Sequence, residues 1–251
     1  MPIAYTRAVS PALPACVLTH LARAPIDIGR AMAQHAAYEQ ALADAGCTLR
    51  RLPDLPDAPD GVFVEDTAIL LGQHAIIARP GATSRAAETA SVSRALQADF
   101  TLHELAGGML DGGDVLHIER TLFVGRSSRT DASGAASLAQ LVEPLGLTVV
   151  PVEVRGCLHL KTAVTWLGDA LLLNPDWIDL APLAALPCLL VAPGEAWAAN
   201  TLRIGETVHV SAGNPATTAQ LRKRGYHVQE IDVSELQKAE AGLTCLSLIT
   251  T

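Results

Sequence analysis

Three absences in the sequence narrow what the protein can be. No stretch approaches the roughly 18 apolar residues of a membrane span. The first residues show no apolar run behind a basic start, because Pro11 and Pro14 interrupt what there is. On this reading the protein is cytoplasmic, with no membrane partner. Clustered positive charge is missing too: 18 Lys and Arg face 26 Asp and Glu, for a net charge of −8. Phosphate neutralisation needs such clusters, and the basic triplet Arg222-Lys223-Arg224 reads as a helix end. This balance argues against nucleic acid as the main partner, whereas an acidic surface is compatible with a cationic small molecule and mildly attracts one. The five cysteines (16, 47, 157, 188 and 245) form neither a dense disulfide framework nor a C-x-x-C metal pattern.

What the sequence does contain is a recurring unit of about 45 residues. From Glu65, EDTAILLGQHAIIARPG gives two short apolar runs about a glycine turn, then a helical stretch (Ala86 to Gln97) and a strand near Phe100 to Leu105. The plan restarts at Asp111 with DGGDVLHIERTLFVGRSS, a helix around Ala135 to Leu145 and the strand LTVVPVEV. It restarts at His159 with HLKTAVTWLGDALLLNP, a helical stretch and the strand CLLVAPG. Asn200 opens a fourth unit, NTLRIGETVHVSAG, with a helix near Thr217 to Arg224 and the strand YHVQEIDV. A fifth opens at Cys245 with the strand CLSLIT, and the N-terminus supplies its missing parts: the strand AYTRAV, a helix from Ile26 to Ala45 stopped by Gly46, and the strand CTLRRLP. Five ββαβ units closed by pairing the termini make an α/β ring with pseudo-fivefold symmetry. A plain β-propeller would carry no helix in each unit.

Equivalent positions in a closed ring face one axis, so the residues opening the units should converge. They are Glu65 and Asp66, Asp111 to Asp114, His159, Asn200 and Cys245, the mix of carboxylate, imidazole and thiol that nucleophilic chemistry requires. Alone, Cys245 in LTCLSLIT reads as core filler, His159 as a satisfied interior histidine, and Asp111 as part of an Asp-Gly turn. In register they read as nucleophile, general acid/base and acid. Asp60, Glu65 and Asp66 flank an apolar VFV. Buried carboxylates need cationic partners, lysine is scarce nearby, and a planar guanidinium would suit them. Arg85 and Arg129 end GATSR and RSSRT at matching places in consecutive units. Solvation is the usual fate of an arginine, but two in register read as a clamp for a substrate carboxylate. The ligand so described resembles arginine.

These residues resemble the dimethylarginine dimethylaminohydrolases of the guanidine-modifying superfamily. The likeness runs in order through VFVED, RPGATSR, LDGGDVL, VGRSSRT, LHLKT and GLTCLS, over nearly the whole chain. It implies a five-bladed α/β-propeller as a single domain over residues 1–251. The implied reaction is hydrolysis of methylated arginines to citrulline and the methylamine through a covalent cysteine intermediate, with no cofactor. The resemblance makes Cys245 the nucleophile, His159 the acid/base and Asp111 its orienting acid. Asp60, Glu65 and Asp66 become the guanidinium pocket, and Arg85 and Arg129 the carboxylate clamp. The Ala239 carbonyl, and one from Leu21 or Ala22 on the N-terminal loop, would receive the α-amino group. Two segments depart from the family: KAEAGLTC lacks the larger apolar residue and the Asp-Gly pair, and the loop THLARAPID is short. Alternatives are the same machinery on unmethylated arginine or another guanidine, a non-catalytic arginine-binding protein, and a zinc-dependent enzyme. Zinc could also inhibit by binding Cys245 and His159. The sequence leaves a homodimer open.

Overall fold

The computed structural model describes residues 1–250. The N-terminus contributes β1 (Ile3–Thr6), α1 (Ile28–Asp44) and β2 (Thr48–Arg51). Next come β3 (Ala68–Leu71), β4 (His74–Ile77), α2 (Ala86–Leu96) and β5 (Thr101–Glu104), then β6 (Val115–Ile118), β7 (Thr121–Arg126), α3 (Ala132–Val142) and β8 (Thr148–Glu153). A short α4 (Leu160–Ala163) leads into β9 (Val164–Trp166), β10 (Leu171–Leu173) and β11 (Cys188–Leu190). The fourth unit is β12 (Leu202–Ile204), β13 (Thr207–Ser211), α5 (Pro215–Lys223) and β14 (His227–Ile231), and α6 (Ser234–Gln237) precedes β15 (Leu248–Ile249).

The strands form five three-stranded sheets of one design. In each, the middle strand runs antiparallel to the first and parallel to the third, as in β3-β4-β5 and β12-β13-β14. A two-residue turn is enough for the antiparallel step, and its first position needs a left-handed backbone. Gly72 (φ 58°) and Gly205 (φ 55°) supply it, while in the second unit Glu119 adopts it at φ 52°. The parallel step needs a long crossover, which the helices provide. Asp27 and Asp131 cap α1 and α3 by accepting from the amides of Arg30 and Gly134, and Pro215 starts α5 where a missing N–H is harmless. Each helix then packs its apolar face on its own sheet. Val92 and Leu96 of α2 meet Ala75 and Ile77, and Leu138 and Val142 of α3 meet Leu122 and Val124.

The ring closes between the chain's ends. In the composite sheet β15-β1-β2, Ala4 pairs with Ile249 and Tyr5 with Leu248. The Ile3 amide donates to Thr250 Oγ1 at 2.8 Å, and the Thr250 amide donates back to the Ile3 carbonyl at 2.9 Å. The first strand of every sheet borders one central cavity of about 270 Å³, which places those five strands around the axis. This is the five-bladed α/β-propeller. Among the described residues no helix is long and apolar enough to cross a membrane.

Two expectations need correction. The third unit has no crossover α-helix, only a 3-10 turn at Ala181–Leu183. Pro175, Pro182 and Pro187 punctuate NPDWIDLAPLAALPC, and proline both lacks the amide a helix needs and clashes with the preceding turn. The residues that open the units also precede the strands, in single helical turns or at their caps. These are 3-10 turns at Val64–Thr67, Gly112–Asp114, Ala196–Ala199 and Thr244–Leu246, and α4 in the third unit. Cys245 thus lies in a turn rather than a strand, and His159 is the N-cap of α4. Turns this short carry no readable periodicity.

Leu248 is 5% exposed and packs with Tyr5, Leu52 and Val64 across the closure. Leu248→Ala is expected to cost about 2–5 kcal/mol, read from urea unfolding. A loss near zero would mean that this packing contributes little to closing the ring.

Candidate active site

The helical turns can meet at the centre because glycine stands where they touch. A Cβ on Gly112 would lie 2.1 Å from the Glu65 carbonyl oxygen, and one on Gly113 would lie 2.7 Å from Asp66 Oδ1 and 2.8 Å from His159 Nδ1. Any side chain there would drive the turn at 112–114 off the one at 64–67 or displace the imidazole. Gly242 has the same role near the cysteine, where a Cβ would meet the Asn200 side chain at 2.3 Å.

His159 sits between two carboxylates in a fully buried setting. Its Nε2 lies 3.0 Å from Asp111 Oδ2, a hydrogen bond, and its Nδ1 lies 3.7 Å from Asp66 Oδ1. An ionised carboxylate only accepts, so Nε2 carries a proton. Burial alone would lower the pKa, but Asp66, the Asp111 hydrogen bond and Asp114 outweigh it and raise His159 to about 9. The imidazole is therefore charged at neutral pH. Asp66 shows the reciprocal effect: burial opposes its ionisation, but His159 and Arg85 hold its pKa below the ordinary value.

Asp114 was grouped with the unit-opening acids and received no task of its own from the sequence. In the structure its Oδ1 accepts from the Leu160 amide at 2.8 Å and its Oδ2 from Ser127 Oγ at 2.6 Å. It therefore satisfies the free amide at the start of α4, which the His159 side chain does not cap. Burial pushes its pKa up to about 6. The GGD spacing is the available signal, and it gives Asp114 no separate role.

Cys245 is 6% exposed, and its sulfur accepts from the Gly242 amide at 3.4 Å. Burial, then the nearby Glu65 and Asp66 carboxylates, push the thiol pKa well up. The preceding residue ties the turn in place. Thr244 Oγ1 donates to Glu65 Oε2 at 2.6 Å, and the Thr244 amide donates to Asn200 Oδ1 at 3.1 Å.

The carboxylates differ in what they have left to offer. Glu65 Oε1 pairs with Lys161 Nζ at 2.6 Å, so a lysine remote in sequence supplies the cation that the local sequence lacked. This corrects the inference that Glu65 needs a ligand as partner. Asp66 Oδ2 pairs with Arg85 Nη1 at 2.6 Å, while Asp66 Oδ1 is buried and has no hydrogen-bond partner among the described residues. Asp60 is 7% exposed and accepts from the Val17 amide at 3.3 and 3.4 Å; burial raises its pKa.

The two arginines are not equivalent. Arg85 is buried and directed at Asp66, at Glu88 Oε2 (2.8 and 3.0 Å) and at the Phe63 carbonyl (2.9 Å). Arg129 donates through Nη2 to Thr19 Oγ1 on the N-terminal loop at 3.3 Å. Glu88 went unnoticed in the sequence because it looks like an ordinary first-turn helix acid. Ala239 is buried and Leu21 exposed, and neither carbonyl accepts a hydrogen bond among the described residues. Asp66, Asp111 and His159 bring potential metal-ligating atoms within 4.8 Å of one another, a group that does not include Cys245. A metal there would have to displace the imidazole proton.

Fold and site define a five-bladed propeller of the guanidine-modifying hydrolases. No family model matches the chain. A curated dimethylarginine dimethylaminohydrolase of Streptomyces coelicolor is 39% identical over 248 residues, 98% of this chain and 95% of the relative. The Pseudomonas aeruginosa enzyme, solved as a cysteine-to-serine mutant complexed with citrulline, superposes with a TM-score of 0.91 at 30% identity over 98% of each chain. A dimethylarginine dimethylaminohydrolase histidine-to-glycine adduct with S-methyl-L-thiocitrulline gives a TM-score of 0.92 at 31% identity, again over 98% of each. The chain belongs to the dimethylarginine dimethylaminohydrolase family.

The carboxylates around His159 set a pH dependence. A histidine whose pKa is raised on folding contributes stability that is complete below its unfolded value, about 6.5, and is lost as pH climbs through its folded value. His159 is expected to titrate near 9 by NMR, and the protein to lose urea resistance between those two values. Asp111→Asn should lower the His159 pKa by about one unit or more and flatten that loss. A wild-type His159 titrating at 6.5 would contradict the charge arrangement.

Proposed function

We propose that the protein hydrolyses Nω-methylated arginines to citrulline and dimethylamine or methylamine, with residues 1–251 acting as one catalytic domain. The observation that carries this reading is Asp66 Oδ1, buried, without a hydrogen-bond partner among the described residues and 3.7 Å from His159 Nδ1. A guanidinium N–H donated to that oxygen would bring the guanidinium beside the general acid. The relatives' citrulline complex and thiocitrulline adduct support the same class of substrate.

The charges favour a substrate that has lost some of its N–H groups. Lys161 and Thr244 already occupy Glu65, and Arg85 occupies one side of Asp66. Few carboxylate oxygens remain for a ligand, which suits a guanidinium with N–H bonds replaced by methyl groups. Asp60 would share its remaining positive charge, and Arg129 would serve the carboxylate end, while Arg85, its donors taken by Asp66, Glu88 and the Phe63 carbonyl, holds Asp66 in place.

In this mechanism Cys245 is the nucleophile. Its thiol is held neutral by burial and by two carboxylates, so the arriving cation supplies the field that favours the thiolate, and the thiol proton passes to solvent because His159 is already protonated. Sulfur attacks the guanidinium carbon, forming a C–S bond and a tetrahedral intermediate. His159, charged and oriented by Asp111, gives its proton to the departing amine as the C–N bond breaks. The resulting S-alkylthiouronium is attacked by water, with the now neutral His159 taking the water proton. The C–S bond then breaks, the proton of the added hydroxyl returns to sulfur, and citrulline leaves with the thiol restored. No cofactor takes part, and a zinc ion held by His159 and its neighbours would inhibit by removing the proton donor.

Cys245→Ser is expected to lower citrulline production from dimethylarginine by about a thousandfold or more, measured with the released amine beside an arginine control. Near-normal turnover in the variant would remove Cys245 from the mechanism. Ammonia from arginine in the wild type, without dimethylamine from the methylated substrate, would reassign the enzyme as a deiminase. Binding of arginine derivatives with no product from either would leave a binding protein.

A further inference from the structure

The two segments that depart from the family pattern meet in space. Glu240, in KAEAGLTC, is 2% exposed and reaches the short N-terminal loop. Its Oε2 accepts from the Thr19 amide at 2.9 Å, and its Oε1 from the amides of His20 and Leu21. Three successive amides thus converge on one carboxylate, the arrangement by which backbone binds an anion. Glu240 reaches them from a left-handed backbone (φ 62°), one of two such non-glycine residues among those described. That conformation is unfavourable for a residue with a Cβ and persists where surrounding contacts over-determine it. No lysine or arginine pairs with Glu240 among the described residues, and its oxygens accept from the loop amides instead. Two other groups tie the same loop, Asp60 to the Val17 amide and Arg129 to Thr19 Oγ1.

We propose that Glu240 is the positioning residue for the amino-acid end of the pocket. By fixing Thr19–Leu21 and its own backbone together, it holds the carbonyls of Leu21 and Ala239 as a preformed pair of acceptors for a substrate ammonium group. Ala239 precedes Glu240 in the chain, and Leu21 carries one of the three amides. A single side chain therefore sets the distance between the two carbonyls. The carboxylate itself does not touch substrate, because its oxygens are already occupied by the loop. The proposal rests on the functional reading above, together with the family resemblance, which implies that those carbonyls receive the α-ammonium.

The test compares Nω-methylarginine with its analogue lacking the α-amino group, in wild type, Glu240→Ala, Glu240→Gln and Glu240→Asp. Glu240→Ala should raise KM for methylarginine at least about tenfold with kcat within about threefold, and leave kcat/KM for the deaminated analogue unchanged. Glu240→Gln keeps the shape with one acceptor oxygen and should fall between, and Glu240→Asp should restore part of the loss. Hydrogen exchange provides a readout independent of turnover: the amides of residues 19–21 should exchange at least about tenfold faster in Glu240→Ala. An unchanged KM, an equal loss on both substrates, or unaltered exchange would overturn the proposal. If the wild type turns over neither guanidine, the assigned reaction fails, and exchange at 19–21 still decides whether Glu240 holds the loop. If Glu240→Ala does not fold, the same comparisons on Glu240→Gln decide it.

Discussion

The centre of the ring depends on a balance among charges removed from water. Asp66 faces His159 on one side and Arg85 on the other, Arg85 also serves Glu88, His159 also serves Asp111, and Glu65 is matched by Lys161. An ionised group buried without a partner costs several kcal/mol, and removing one member of a buried pair costs about 3–5 kcal/mol because the other is stranded. The residues around the thiol are therefore not independent parts. Each exists in its charge state because the next is in its own, and substitutions among them should be far from additive. Asp66 Oδ1, which accepts no hydrogen bond among the described residues, is placed to meet a ligand.

The backbone makes that balance possible. Carboxylates from separate units approach one imidazole because Gly112 lets its turn pack against the backbone of the turn at 64–67 and Gly113 leaves room for the Asp66 and His159 side chains, while Gly242 leaves room for the Asn200 side chain beside the cysteine turn. The same turns explain why the functional residues precede the strands: a single helical turn at the head of each inner strand carries its side chains to the axis. The ring thus separates two jobs. Outer helices and sheets bury apolar surface in five local cores, and the polar machinery is confined to the hub.

Much of this was legible in the amino-acid order. The spacing of Glu65, Asp111, His159, Asn200 and Cys245 gave the repeat and the residues that converge, because alternating apolar runs and helical periodicity survive in sequence. The proline-rich segment after β10 was misread as helical, since apolar residues between the prolines preserved a helix-like pattern. The 3-10 turns were invisible for want of length. Pairings across the ring were beyond reach for another reason: Lys161 with Glu65, and Glu240 with the loop at Thr19–Leu21, join residues far apart in the chain. Asp114 looked like one acid among several until its bond to the Leu160 amide gave it a place.

The composite fifth sheet bears on how the protein comes into being. Its strand β1 hydrogen-bonds to a segment 247 residues further along the chain, whereas the other four sheets are assembled from nearby segments. During synthesis those four can form in turn, each as its residues emerge. β1 meanwhile remains an unpaired edge on one side, a template for pairing with another chain. Contacts of such separation also form slowly, since the whole loop must close before they repay it. The nucleophile lies in the turn that leads into β15, so Cys245 is brought to its place by the same event that covers this edge. Intermediates that precede closure would carry a full set of acids and an imidazole, but no positioned thiol. Chemical competence arrives in one step with topological completion, and the interval before it is when the nascent protein is most exposed to misassembly.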